Sequence, residues 1–462
     1  MRGREITTLV DSTGICCLVF GETIGGLLFP RCSFLSFTPT FWAGVAVLTL
    51  RHVIWPRPSL FAALANRVRA YWREQGVART WSVALASRVA VLAVGVLVVL
   101  GVGYTLRPLQ FRVSRNELVN LPARFDAGWY LGIARHGYQW RPELRGHQQN
   151  VAFFPVYPAL MRVGGDVLTI AAKVTRNPRL FGGGDARMLW GGALVSVLCF
   201  GWALRQVMLL AQLEQPEGSV PARGVMLLAA YPFSLFFSAP YPESVFLLVL
   251  ASTVLAWNRG DMRSAGLLGA LAGFTRSNGW TVSAALLTEL ILGPRPRDRT
   301  LPRFLVAVCP LFGAALFSAY VWHLTGDPFE WTRAQEGWGR QVALTGFLAH
   351  RIDAIQNGGL LAYLMRDPVD AITCGCTAWM LVMAAVLAVR RRWLYSALIV
   401  FYLLPAIAID LPALGRMTAV LFPAFIASAS LVRGRAYAAL VVLLGVGQAF
   451  LAGRFFLWQP PY

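Results

Sequence analysis

Long apolar runs separated by short polar segments dominate this chain. A helix needs about 20 apolar residues to cross a bilayer, and shorter helices cross only where protein surrounds them. We predict about eleven transmembrane helices, with one or two more if the weaker runs near 15–30 and 40–55 also cross, and we interpret 264–293 as a hairpin of two short helices. The candidate runs lie near 89–106, 188–212, 224–240, 242–257, 264–275, 278–293, 304–322, 371–389, 393–409, 417–432 and 436–455.

Arginine clusters indicate the orientation of these helices. Alternation of the predicted spans places every cluster on one side, which we assign to the cytoplasm because positively charged loops are held there. The clusters lie within 51–88, 259–263, 295–303, 390–392 and 433–435. The opposite side receives the loop 107–187 and the polar segments 241–244, 275–278, 323–370 and 410–416. Polar groups without an evident structural task therefore meet on the outer face, as in an enzyme whose active site opens outward.

The first outer loop, 107–187, is not a simple connection. Apolar residues recur at helical spacing from Phe125 to Ala134, so we predict a short helix that lies at the membrane interface. Trp129 and Tyr130 are expected at headgroup depth. The proline-containing stretch 153–158 predicts an extended turn that leads into a second interfacial helix.

Composition agrees with this pattern. Hydrophobic residues make up 56% of the chain, charged residues only 14%, and the mean hydropathy is +0.56. Soluble domains carry about 25% charged residues, so we predict an all-α polytopic membrane protein. The net charge of +20 comes from arginine clusters between apolar runs, so we expect no nucleic-acid partner. The expected partners of the apolar surface are membrane lipids. The seven cysteines, among them Cys374 and Cys376, lack a metal or redox spacing and are interpreted as core residues.

Asp126 is the first candidate for chemistry, because it stands alone among aromatic residues just after the first confident span. A positioned carboxylate there can take the proton of an acceptor hydroxyl. The alternative is that Asp126 caps the helix beginning at Ala127, with its carboxylate on a backbone N–H, and spacing alone favours neither. His136 and His147 lack metal-ligand spacing, and no DxD, HExxH, P-loop or GxGxxG motif accompanies them. We therefore expect neither a metal nor a cofactor.

Three outer-face arginines, Arg124, Arg276 and Arg416, are candidate ligands of a donor phosphate, since a guanidinium matches phosphate oxygens in a bidentate way. The alternative for each is snorkelling toward lipid headgroups. Glu243 stands at the entry to a span, where placement at a helix N-terminus explains it equally well. The other candidates to line a substrate groove, with an ordinary solvated loop as the alternative for the last four, are Trp129, Tyr130, Tyr157, Asp327, Glu330, Gln335 and Trp338.

Several separated blocks of the chain resemble the PIG-V family of membrane glycosyltransferases, the GPI mannosyltransferase 2 type, and its bacterial relatives. The blocks extend over roughly 88–455 and are 124–138, 152–158, 241–244, 267–276, 325–328, 334–340 and 414–416. Two positions depart from the family pattern. The Arg-Trp-Asp triplet of the family reads Arg124-Phe125-Asp126 here, and its Thr-Arg-Pro turn reads Thr275-Arg276-Ser277.

The resemblance implies a GT-C-like transmembrane catalytic domain at 88–456, preceded by an N-terminal extension at 1–87, with Asp126 as the essential acid. It implies transfer of a sugar, usually mannose, from a polyprenyl-phosphate donor without a nucleotide. An Arg-rich chain of this kind resembles bacterial sequences, so the expected acceptor is a cell-envelope glycan, lipid or protein. The alternative class is a transporter or flippase for a lipid-linked glycan, although the chain lacks the internal repeat typical of transporters.

Overall fold

The computed structural model describes residues 76–104, 111–178, 180–215, 218–293, 300–339, 346–409 and 411–461, together with a few positions between 46 and 54. The weak apolar run near 15–30 lies outside the described residues, and the run near 40–55 lies mostly outside them. The same holds for part of the arginine cluster at 295–303 and for residue 410.

Helices form most of the described structure. The α-helices are α1 (Val77–Gly101), α2 (Ala127–His136), α3 (Val156–Val174), α4 (Gly184–Glu214), α5 (Val220–Ala230), α6 (Glu243–Arg259), α7 (Met262–Thr275), α8 (Thr281–Leu292), α9 (Thr300–Thr325), α10 (Glu330–Arg333), α11 (Gly346–Gly358), α12 (Leu360–Arg366), α13 (Pro368–Val389), α14 (Trp393–Ala408), α15 (Leu414–Thr418), α16 (Phe422–Leu431) and α17 (Gly434–Phe456). Short 3₁₀-helices lie at Pro142–Leu144, Asn150–Ala152, Pro232–Ser238 and Ala334–Trp338.

The predicted class, an all-α polytopic membrane protein, is confirmed. Five helices of the described chain are long and apolar enough to cross a bilayer, namely α1, α4, α9, α13 and α17. A sixth span results if α5 and the 3₁₀-helix at Pro232–Ser238 form one broken span. The other predicted runs correspond to shorter helices, so the count of about eleven spans and the GT-C-like arrangement stay predictions.

Two predicted spans are not single helices. The run 224–240 bends by 80° between α5 and the following 3₁₀-helix, because Pro232 lacks the N–H that a continuing helix needs. The run 417–432 is likewise interrupted between Thr418 and Phe422, one residue before Pro423. Both interruptions put short irregular backbone segments inside the bundle, and the second follows directly on Arg416.

The first described helix begins earlier than the sequence predicts. α1 starts at Val77 instead of near residue 89, and it crosses the predicted boundary between 87 and 88. Arg88 is therefore not a loop charge. Its side chain is buried and donates hydrogen bonds to Ser238 Oγ and to the carbonyl of Ala229, both at 3.2 Å. These bonds satisfy the guanidinium inside the bundle, which a hydropathy pattern does not reveal.

The hairpin predicted at 264–293 is confirmed as α7 and α8, joined by a turn at 276–280. Glycines bring α7 unusually close to α9. A Cβ on Gly273 would stand 1.8 Å from the carbonyl oxygen of Pro310, and one on Gly313 equally close to that of Ala270. Small residues allow such backbone contact between membrane helices. This packing fixes the end of α7, where Arg276 lies.

The outer loop contains both predicted helices. α2 and α3 are helices at the two predicted places, and their position at the membrane interface stays a prediction. The extended turn is shorter than predicted, because α3 already begins at Val156 and includes Pro158. Proline is tolerated there because the first turn of a helix has no preceding carbonyl to bond.

The antiparallel order of α6 and α7 separates the two ends of the bundle. Glu243 begins α6 and Arg276 follows α7, so both lie opposite the connecting turn at Gly260–Asp261. The other end of the bundle has its own ion pair, in which Arg392 Nη2 lies 2.7 Å from Glu214 Oε2. The polar groups of the two ends thus form separate clusters.

Candidate active site

Asp126 lies in the tight turn that precedes α2. Its carboxylate makes no hydrogen bond to the first turn of that helix, and Oδ2 instead accepts a 2.8 Å hydrogen bond from Arg416 Nη1. The backbone N–H of Asp126 donates to the Tyr241 hydroxyl at 3.0 Å, and that hydroxyl donates to the carbonyl of Arg124 at 3.1 Å. Phe125 has a φ of 47°, a left-handed conformation that is costly for a bulky residue. The surrounding contacts thus hold the turn so that the carboxylate points at Arg416.

Glu243 joins two arginines behind this carboxylate. Its Oε1 lies 2.8 Å from Arg276 Nη1 and 3.1 Å from Arg416 Nε. Glu243 is fully buried, and Arg276 and Arg416 are 9% and 8% exposed. With Asp126, these residues form a cluster of two carboxylates and two guanidiniums, which we call the Asp126–Arg276 cluster. Its charges balance, as a buried group of ions requires.

Local packing sets the position of Arg416. The short helix α15 places Gly415 against the ring of Phe233, where a Cβ would stand 2.1 Å from Cζ. The guanidinium of Arg416 lies over two aromatic rings, 5.5 Å from the centroid of Phe236 and 5.2 Å from that of Tyr241. Cation–π contact of this kind favours a charged group at a partly dehydrated site.

A cleft opens in front of the cluster and has two parts. The inner part, of about 70 Å³, is bordered by Asp126, Arg276 and Arg416 together with aromatic residues of the outer loop. The outer part, of about 460 Å³, continues from the same two arginines along an apolar wall. That wall is formed by Trp280, Trp331, Pro405, Ala406, Ile409, Leu411 and Met417. A polar centre thus borders an apolar channel.

Three of the predicted groove residues line the inner cleft: Tyr130, Gln335 and Trp338. Gln335 Nε2 donates to the carbonyl of Ala152 at 3.3 Å, and its Oε1 is buried without a hydrogen-bond partner among the described residues. Burial raises the pKa of the Tyr130 phenol well above its ordinary value, and the nearby negative charge of Glu243 raises it further. Tyr130 therefore stays protonated at any physiological pH.

The remaining aromatic and acidic candidates lie elsewhere. Trp129 stands on the far side of an aromatic wall, with its ring centroid 5.7 Å from that of Trp338. Tyr157 is buried, and its hydroxyl bonds to Ser196 Oγ at 3.0 Å and to the carbonyl of Gly192 at 2.9 Å. Asp327 pairs with Arg145 at 3.1 Å, at the surface of the outer loops.

Arg124 is also not part of the cluster. Its guanidinium is buried and donates to the carbonyls of Phe456 at 3.0 Å, Asn120 at 2.6 Å and Ala123 at 3.0 Å. It also lies over the ring of Trp458, 5.3 Å from the centroid. Arg124 thus ties the Asp126 turn to the end of α17, whereas Arg276 and Arg416 border the cleft.

Sequence reasoning missed several residues of the site, among them Tyr241 and Ser277. Tyr241 holds the backbone of Asp126 and contacts Arg416, and Ser277 borders both parts of the cleft. The signal was present, because Tyr241 stands between two prolines at the entry to α6 and Ser277 follows Arg276 directly. Among the residues that the structure describes, no three His, Cys, Asp or Glu side chains come together as metal ligands.

The fold and the site define a class: a multi-pass helical membrane protein with an ion-paired carboxylate at the mouth of a half-apolar cleft. Residues 110–293 match the family model of Mannosyltransferase (PIG-V). The resemblance inferred from the sequence blocks is thereby confirmed over this range, which contains Asp126, Glu243 and Arg276. Arg416 and the segment 325–340 lie outside it.

Individual relatives match over about a third of the chain. GPI alpha-1,6-mannosyltransferase 2 of Rattus norvegicus is 31% identical and that of Mus musculus 30%, each over 158 residues, while that of Cricetulus griseus is 28% identical over 161 residues. Each match covers 34% of this chain and 29% of the relative. The chain thus spans less than a third of the length of these relatives. No solved structure matches the chain.

Proposed function

We propose that this protein is a membrane mannosyltransferase. It moves mannose from a polyprenyl-phosphate donor to a glycan, lipid or protein of the cell envelope, in a bacterial cytoplasmic membrane, with its active site facing outward. The observation that carries the proposal is the Asp126–Arg276 cluster at the junction of a polar and an apolar cleft. The family match over 110–293 supports the reaction class.

The two-part cleft suits a lipid-linked sugar phosphate. The apolar outer part accommodates the first prenyl units beside Trp280, Ile409 and Met417. Arg276 and Arg416 stand where it meets the inner part, and guanidiniums bind phosphate oxygens in pairs. A phosphate bound there directs its sugar toward Asp126. The order apolar wall, arginines, carboxylate supports this donor class.

Charge accounting supports Asp126 as the general base. When the acceptor hydroxyl attacks C1 of the sugar, the C1–O bond to phosphate breaks and the hydroxyl proton passes to Asp126. The carboxylate loses its charge as the leaving phosphate gains one, so the total charge of the site is unchanged. Arg416 then faces a neutral acid and a phosphate dianion, and its favourable contact shifts from the first to the second. This exchange stabilises the developing charge where it appears.

Glu243 has a positioning role in this scheme. Because its Oε1 contacts both guanidiniums and its side chain is fully buried, it fixes the separation of Arg276 and Arg416. Without this carboxylate, two like charges would repel each other in a poorly solvated site. We therefore assign Glu243 to the support of the phosphate site and not to the substrate groove.

The test is transfer of radiolabelled mannose from polyprenyl-phosphate mannose to envelope lipids or glycans by the purified protein in liposomes. Asp126→Asn should lower the turnover by at least ~100-fold, the lower range for a lost general base, without loss of membrane insertion. Asp166→Asn, an exposed carboxylate change in α3, is the matched control and should leave turnover within twofold. Near wild-type turnover of Asp126→Asn would remove Asp126 from catalysis. Use of GDP-mannose in place of the lipid donor would refute the donor assignment.

A further inference from the structure

A second groove, outside the catalytic cleft, lies along α2. It has a volume of about 360 Å³ and is bordered by helix α2 on one side and by the segment 139–150 on the other. Its polar lining includes His136, Gln139, Arg141 and Gln148, and Trp129 stands at one end. The donor and base assignments above make no use of this groove.

One face of α2 forms the floor of the groove, and two of its residues there are glycines, which have no side chain. Gly128, Gly132 and His136 follow each other at four-residue spacing, so they lie on the same face. A Cβ on Gly132 would meet no atom within 4 Å, so packing does not require glycine there. Glycine in a helix costs about 1 kcal/mol relative to alanine. What Gly132 provides is open space in the groove.

The opposite wall, formed by the segment 139–150, is held in place by hydrogen bonds from two of its own side-chain amides. Gln149 is buried, its Oε1 accepts from the N–H of Arg141 at 2.9 Å, and its Nε2 donates to two carbonyls of the same loop. Asn150 Oδ1 accepts from the N–H of Gln139 at 3.1 Å. These amides keep the loop in place, while the exposed side chains of Gln139 and Gln148 border the open volume. The groove is therefore a built feature of the loop.

Packed aromatic side chains stand between the groove and the catalytic cleft. The ring of Trp129 stacks on Phe153 with centroids 5.8 Å apart and meets Trp338 edge-on at 5.7 Å. Phe153 and Trp338 line the inner cleft on their other side. The groove and the inner cleft are therefore neighbours, with Trp129 on the groove side and Phe153 and Trp338 on the cleft side.

We propose that this groove is a saccharide-binding subsite for the acceptor, an inference that rests on the proposed function. Its lining contains no carboxylate and one guanidinium, so an ionic ligand has little to bind. Amide and imidazole groups both donate and accept hydrogen bonds, which matches sugar hydroxyls, and an indole offers an apolar surface to a ring. Among the acceptor classes above, the groove selects one that presents a glycan chain.

The test is ligand-observed saturation-transfer NMR on the full-length protein in detergent, with mannotriose, galactotriose and chitotriose as probes. At least one trisaccharide should receive saturation in the wild type. Gly132→Leu, which fills the groove, should reduce that signal at least fivefold. Gly445→Leu is the matched control, since Gly445 is also helical with no atom within 4 Å of a Cβ, and it lies far away in α17. It should bind like the wild type.

Two outcomes would overturn the subsite: no trisaccharide binds the wild type, or binding is unchanged in Gly132→Leu. Loss of binding to phosphatidylglycerol vesicles in Gly132→Leu, with trisaccharide binding intact, would instead indicate a lipid headgroup site and also overturn it. If Gly132→Leu fails to fold, the double variant His136→Ala, Gln148→Ala removes two exposed lining groups and should cause the same loss. Failure of mannose transfer by the wild type is a separate readout and would refute the proposed function, not the saccharide binding.

Discussion

Replacement of Arg416 by lysine separates phosphate recognition from simple positive charge. In the structure, Nη1 of Arg416 bonds to Asp126 at 2.8 Å while Nε lies 3.1 Å from Glu243. A lysine has a single nitrogen and cannot occupy both positions. It also loses the planar fork that a phosphate would meet. Arg416→Lys thus keeps the charge of the cluster but cannot keep the contacts with both Asp126 and Glu243.

The expected loss follows from one charged hydrogen bond. Such a bond contributes about 1.5–3 kcal/mol, and each ~1.4 kcal/mol is a factor of ten in rate. Arg416→Lys should therefore lower kcat/KM for polyprenyl-phosphate mannose by roughly 10- to 150-fold. Most of this loss should appear as a higher KM for the donor, with a smaller change in the KM for the acceptor. An arginine that only reached for headgroups would tolerate lysine, because both side chains extend that far.

The assay is the initial rate of mannose transfer with the donor varied at fixed acceptor. Arg390→Lys is the matched control, since Arg390 lies at the other end of the bundle, where Nη1 donates to Ser430 Oγ at 2.9 Å in an exposed position. Its donor kinetics should equal those of the wild type. Unchanged donor kinetics in a well-folded Arg416→Lys protein would refute the phosphate role of Arg416.

Two further predictions concern support and orientation. Arg124→Ala removes the Arg124 Nε donor from the buried carbonyl of Phe456, at a cost of about 1–3 kcal/mol. Thermal inactivation should therefore accelerate while the donor KM stays within twofold; a tenfold higher donor KM would place Arg124 at the phosphate. In a cysteine-free chain, single cysteines at exposed positions 143 and 336 should react with an impermeant maleimide in intact cells. Those at exposed positions 263 and 435 should react only after lysis. The opposite pattern would show that the site faces the cytoplasm.

The alternation of predicted spans places the charged residues of the site on the same side of the membrane, and the structure brings them into contact. Asp126, Glu243, Arg276 and Arg416 each border a predicted helix, so a count of crossings placed them on one face before any contact was known. The contacts themselves depend on tertiary packing. Asp126 precedes a helix in either interpretation, and only the position of Arg416, 290 residues later, distinguishes a cleft carboxylate from a helix cap.

For Arg124 and Tyr157, a position near a site residue or within a family block did not predict a side chain in the cleft. Arg124 is two residues from Asp126, and Tyr157 lies in the block 152–158 that resembles the family. Both side chains nevertheless turn into the bundle, toward Phe456 and Ser196. A sequence pattern places a residue on an element but not the direction of a side chain in an irregular turn. Pro232 and Pro423 mark the two helix breaks in the sequence, but the runs around them are apolar enough to be predicted as continuous spans.

The bond from Arg124 to the carbonyl of Phe456 joins positions 332 residues apart, and it has a consequence for biosynthesis. The ring of Phe125 also packs against Phe455 and Trp458. Asp126 is synthesised early, but the residues at the end of α17 that hold its turn are synthesised last. A chain interrupted before α17 therefore carries Asp126 without its geometry. Under the proposed function, we therefore expect chains that lack α17 to transfer no sugar.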